Sequence, residues 1–131
     1  MDKTVDRPLL TRLSHSFSGK LPMAIAHAIS GEVVSIQPFG ANVSDAQTVV
    51  LVKTKALEII RMVILSGKKI QEHQVRGEVV VQCLEGRVAF NCGGTQQFLD
   101  AGHMLYLSGD EPHSLEGIVD ASLLVTILLA Q

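Results

Sequence analysis

The segment Gly67-Lys68-Lys69-Ile70-Gln71-Glu72-His73-Gln74-Val75-Arg76-Gly77-Glu78-Val79-Val80-Val81-Gln82-Cys83-Leu84-Glu85-Gly86 decides the fold of this chain. It runs from one turn glycine to another, and between Gly77 and Gly86 it carries a β-branched run with few charges. Downstream the pattern repeats: glycines return at 93, 94, 102, 109 and 117, and short Val/Ile/Leu-rich runs fill the gaps. Turn residues at this spacing predict an all-β sandwich or barrel. The expected strands are 48–53, 57–65, 70–73, 79–84, 87–92, 96–99, 104–107, 113–115 and 122–129.

The chain has 131 residues, which is one ordinary domain with room for a core that needs no staples. Apolar residues make up 47% of it while aromatics are only 4% and Trp is absent, so the core must be aliphatic. A net charge of −2 without a basic cluster argues against a nucleic-acid partner. No apolar run reaches the ~20 residues of a membrane span. The apolar stretch Leu21 to Ser30 is broken by Pro22 and His27, and no positive cluster precedes it, unlike a secretory signal. The expectation is a cytoplasmic protein.

Residues 1–46 read as an N-terminal arm and 47–131 as the barrel domain. In the arm, Pro22 and Gly31 bracket a short helix with Leu21, Ile25, Ala28 and Ile29 on one face. Leu10, Leu13 and Phe17 hint at an earlier turn. Val33-Val34-Ser35-Ile36 is expected as an added edge strand and Pro38 to Asn42 as a loop. Segments 48–52, 59–65 and 123–129 are apolar at successive positions rather than alternating, which implies cover on both faces. Either the arm supplies that cover or a second copy does, and the amount of surface favours a homodimer.

Cys83 and Cys92 invite a disulfide reading. If Glu85-Gly86 is a two-residue hairpin turn, Leu84 pairs with Arg87 and the two thiols stand ~13 Å apart. A disulfide spans at most ~7 Å between Cα atoms, so both are expected as free thiols.

The same segment, with Ala101-Gly102-His103-Met104-Leu105-Tyr106-Leu107 and Glu111-Pro112-His113, resembles the two motifs of a small single-domain cupin, the RmlC-like conserved barrel. Cupins carry G-x5-H-x-H-x3,4-E-x6-G followed by G-x5-P-x-G-x2-H-x3-N. In this chain Gly67, His73 and Gly86 fall in register with the first motif, with Val75 at the second histidine and Val79 at the glutamate. Gly102 and His113 match the second, with Ser108 at the proline, Asp110 at the glycine and Gly117 at the asparagine. The resemblance covers about residues 48–129 and implies a double-stranded β-helix, or jelly roll, behind a short helical or irregular arm.

It also implies a site. In metal-containing cupins the four ligand positions hold iron, manganese, nickel or zinc. Here His73 and His113 remain and two valines replace the others, an incomplete set. Glu78 is the possible third ligand, but strand parity turns it outward if Val79 faces inward, unless a bulge at Gly77 reverses the alternation. Parity with Val79 inward makes His73, Val75, Val79, Val81, Cys83, His113 and Leu115 the lining of an apolar ligand pocket. The competing structural reading is a closed barrel in which the histidines bond to each other, to water or to Tyr106. His103 reads as a turn residue, and His15 and His27 as surface positions.

The first functional expectation is a non-catalytic cupin that binds an apolar small molecule and needs no cofactor. The alternatives are a metal-dependent enzyme of dioxygenase or isomerase type, using His73, His113 and Glu78 with Fe, Mn, Ni or Zn, and a structural dimer without ligand. Itself and a small molecule are the expected partners, with neither nucleic acid nor membrane.

Overall fold

Two long strands organise the molecule. The computed structural model describes residues 27–129, and its strands are β1 (Val49–Lys53), β2 (Leu57–Ile64), β3 (Lys69–His73), β4 (Val79–Cys92), β5 (Thr95–Asp100), β6 (Met104–Leu107) and β7 (His113–Leu128). β4 and β7 run antiparallel beside each other from Val79↔Ile127 to Cys92↔His113. The second half of β7 pairs with β2 and its first half with β3. The first half of β4 pairs with β6 and its second half with β5. One face of the barrel is therefore β1-β2-β7-β4-β6, and the other is β3-β7-β4-β5. This is an all-β double-stranded β-helix.

The corner where both long strands pass from one face to the other explains two glycines. Gly86 has φ +80°, and a Cβ there would lie 2.1 Å from the Asp120 carbonyl oxygen. A Cβ on Gly117 would lie 2.2 Å from the Leu65 carbonyl oxygen. Register slips between Cys83 and Val88, which lets β4 bend without ending. The expected hairpin at Glu85-Gly86 is thus incorrect. Segments 79–84 and 87–92 form one strand, as do 113–115 and 122–129. A positive-φ glycine serves a bend between halves of one strand as well as a turn between two. Cys83 and Cys92 are both free. The reason is their separation by nine residues along β4, at about 3.3 Å each, rather than opposition across a hairpin.

The remaining strands lie within a residue or two of expectation. The edge strand at 33–36 does not form: these residues have no regular structure. The expected loop at 38–42 runs into a 3-10 helix, Gly40–Asp45. Of the helix expected from Pro22 to Gly31, residues 22–26 lie outside the described residues. His27 to Ser30 are not helical, and Gly31 sits in a turn with φ +87°. The turn at Leu10, Leu13 and Phe17, and His15, also lie outside the described residues.

Between the two faces is one contiguous apolar core. Val50, Ile60, Ile64, Val79, Val81, Cys83, Leu107, Leu123 and Val125 come from the first face, and Val88, Phe90, Leu99 and Leu115 from the second. The core is aliphatic apart from Phe90, as composition requires.

The outer side of the first face is partly covered by residues 37–46. Arg61 points outward from β2 yet is only 4% exposed. Its Nη2 donates to the Gln37 carbonyl (2.8 Å) and lies 3.6 Å from Glu85 Oε2. The guanidinium also stacks on the Phe39 ring at 4.1 Å. Glu85 accepts the backbone N–H groups of Phe39 (2.9 Å) and Gly40 (3.0 Å) as well as the Ser122 hydroxyl. Val43 of the 3-10 helix is buried. The arm therefore supplies part of the cover that the doubly apolar strands need. Among the described residues no helix is long and apolar enough to cross a membrane.

Candidate functional site at the barrel mouth

Strand register builds the site. His73 of β3 is the cross-strand partner of His113 of β7, and His113 is in turn the partner of Cys92 of β4. Directly opposed residues in an antiparallel pair project to the same side, so this row of imidazole, imidazole and thiol shares one face. That face is the inner one, because His113 is only 6% exposed and Phe90, two residues before Cys92, belongs to the core. Val79 lies seven residues before the Gly86 bend and Cys92 six after it. The fold-over therefore brings both to the end of the barrel away from the corner.

The two imidazoles meet at 4.2 Å between ring centroids, inclined at 62°. Phe90 also stacks on His113, at 5.6 Å and 11°. Each histidine is held from behind in the same way. His73 Nδ1 is 2.9 Å from the Gln71 carbonyl oxygen, and His113 Nδ1 is 2.9 Å from that of Glu111. Burial, reinforced by His73 nearby, lowers the pKa of His113 against an opposing pull from the Glu111 carbonyl and carboxylate. Burial and a hydrogen bond to Glu111 hold the Cys92 thiol above its ordinary pKa. The rim is closed by a link between two loops: Asp110 N–H donates to the Val75 carbonyl at 2.7 Å. There Gly109 packs so closely on Arg76 that a Cβ would lie 2.3 Å from its carbonyl oxygen.

The structure brings His73 and His113 together, with His73 exposed at the mouth rather than enclosed. Val75 is half-buried against the core, and Val79, Val81, Cys83 and Leu115 are buried within it. Glu78 is exposed, and its carboxylate accepts the Tyr106 hydroxyl at 3.1 Å. Tyr106 therefore points away from the histidines. Burial raises the pKa of Cys83, the behaviour of an inert thiol. His103 is a turn residue whose Nδ1 accepts the Asp100 N–H at 3.0 Å.

Tested against a cupin metal centre, the residues present do not fit. Two imidazoles occur where four ligands are usual, and Val75 and Val79 offer no lone pair. Among the described residues no group of three His, Cys, Asp or Glu is placed to hold an ion. Sequence reasoning missed Phe90, Cys92 and Glu111 as neighbours of the pair. Period-two alternation does put Phe90 and Cys92 on one face, but their approach to His113 depends on the β4–β7 register, which no local pattern reveals.

No family model matches the sequence, and no curated protein does. Solved structures match with high significance. A cupin superfamily protein from Desulfitobacterium hafniense has a TM-score of 0.62 at 16% identity, covering 63% of this chain and 76% of its own. An RmlC-like double-stranded β-helix protein from Methanocaldococcus jannaschii has a TM-score of 0.59 at 18% identity, covering 76% and 94%. A predicted oxalate decarboxylase from Thermotoga maritima has a TM-score of 0.58 at 26% identity, covering 63% and 79%.

Proposed function

This chain carries the cupin fold, and from that premise we propose that it is a small-molecule-binding cupin working without a metal centre. The observation that carries the reading is the composition of the mouth. Two imidazoles sit against an apolar wall, while the other two ligand positions hold valine. Apolar walls with a few placed polar groups are the usual make-up of a small-molecule site. The ligand's apolar body would lie against the half-buried Val75 at the mouth, and its polar group would meet His73 and His113.

Elemental analysis of protein purified without a metal-affinity tag tests this. The expected result is no stoichiometric transition metal. Iron, manganese, nickel or zinc near one per chain, lost in His73→Ala, would put the metal-dependent reading first and make Glu78 the residue to examine. Val75→His combined with Val79→Glu should raise metal affinity sharply, because it restores a four-ligand set.

Self-association belongs to the same proposal. Val80, Thr126 and Ile59 form one outward row across β4, β7 and β2, flanked by the exposed Tyr106 and Met104 of β6. A second copy of the chain is the proposed cover. Light scattering should report two subunits, and Leu124→Lys on this face should dissociate them. One subunit at micromolar concentration would remove the dimer.

A further inference from the structure

Accepting that the mouth binds a small molecule, we propose that its ligand is an apolar alcohol, phenol or amine, recognised as a hydrogen-bond donor, and not a carboxylic acid or phosphate. The argument starts from the two backbone contacts. A carbonyl oxygen can only accept, so the ring nitrogen facing it must carry the hydrogen. Nδ1 of both His73 and His113 faces a carbonyl at 2.9 Å. A neutral imidazole has one N–H, and here it is spent on the backbone. Each Nε2 is therefore a bare lone pair.

Two such acceptors at close quarters cannot satisfy one another. Each takes a donor from outside, water when nothing else is bound, and a bound molecule bearing O–H or N–H replaces that water.

The other groups around the pair point the same way. The Glu111 carboxylate bears on His113. Glu111 leans over the β4–β5 turn, with Oε2 3.6 Å from where a Gly93 Cβ would stand, and it accepts from the Cys92 thiol. Among the described residues no hydrogen bond or ion pair joins either imidazole to a lysine or arginine. The two arginines with aromatic partners, Arg61 and Arg87, stack on Phe39 and Phe98 away from the mouth. An anionic ligand would thus meet two lone pairs and a carboxylate, and no lysine or arginine is bonded to either imidazole to offset them, an arrangement that disfavours it. A donor meets two matched acceptors beside the half-buried Val75.

Three probes with one ring and different polar groups test this: phenol, benzylamine and benzoate, titrated at pH 7.5 into protein labelled with nitrogen-15 at histidine. Before any probe is added, the spectrum should show both rings protonated at Nδ1. Rings protonated at Nε2 would overturn the inference whatever binds. On titration, phenol or benzylamine should shift the Nε2 resonances, and benzoate should bind at least tenfold more weakly. His73→Ala, at an exposed position, should reduce the phenol response severalfold while the fold is kept. Benzoate binding as well as phenol would overturn the donor assignment and leave the binding reading standing. No response to any probe at millimolar concentration, with the tautomers as expected, would sink the binding reading itself and this inference with it.

Discussion

Arg61 and Glu85 form an ion pair on the outside of a barrel, 3.6 Å apart, with their side chains 5% and 14% exposed. Both reach outward, and both are covered because residues 37–46 close over them. Glu85 has four partners in this arrangement: Arg61, the Ser122 hydroxyl and the amides of Phe39 and Gly40. Arg61 keeps its positive charge against the burial that lowers its pKa, with Glu85 opposing that shift.

Breaking the pair from one side should therefore be expensive. Arg61→Met or Glu85→Gln alone leaves a buried charge without its counter-ion and should cost about 3–5 kcal/mol. The double variant should recover part of that loss. Denaturant unfolding of the four proteins measures it, and additive losses would show that the two groups do not act together.

At the corner of the barrel, Gly86→Ala should destabilise far more than Gly94→Ala. Both glycines have positive φ, but a Cβ at 86 runs into the Asp120 backbone while the space at 94 is open. The Gly94 variant should lose about 1 kcal/mol from backbone strain alone. The Gly86 variant should lose several times as much or fail to accumulate folded. Equal melting temperatures for the two would contradict the described bend.

Thiol chemistry separates Cys83 from Cys92. Titration after denaturation without reductant should find two thiols per chain. In the native protein Cys92, half-buried at the mouth, should react first, slowed by the Glu111 contact that raises its pKa. Cys92→Ser should abolish the native-state phase and leave Cys83 silent. A fast phase that persists in Cys92→Ser would mean that Cys83 is not enclosed by the core.

The buried imidazole of His113 gives a pH dependence with a definite sign. Its folded pKa lies below the ordinary value of 6.5, so the unfolded chain binds a proton more readily than the folded one. Its contribution to stability is complete above pH 6.5 and declines as pH falls from there through the folded pKa. His113→Phe should flatten the stability profile in that window. An unchanged slope would show that His113 titrates alike in both states.

Much of this architecture is legible in the residues themselves. The glycine punctuation and β-branched runs locate nearly every strand, and motif spacing brings His73 and His113 together. Strand alternation correctly turns Glu78 away and Val79, Val81 and Cys83 inward. What is hidden is continuity and cover. Gly86 has the marks of a hairpin, and only its clash against Asp120 reveals a bend inside one strand. Val33-Val34-Ser35-Ile36 has every local mark of a strand, yet Val33 is 94% exposed and, among the described residues, no strand edge pairs with it. Arg61, in the middle of an apolar run, gains its meaning from Phe39 and Glu85, 22 and 24 positions away in the chain.

The central position of β7 also sets an order of events on the ribosome. Since β2, β3 and β4 all hydrogen-bond to residues 113–128, the earlier strands emerge before the strand that joins them exists. β1–β2 and β4–β5 can pair locally, but neither barrel face is complete until almost the whole described chain has been synthesised. Long-range pairing of this kind is slow and leaves apolar edges open while it waits. Nascent chains stalled before residue 113 should therefore engage chaperones, whereas chains released past residue 128 should close promptly.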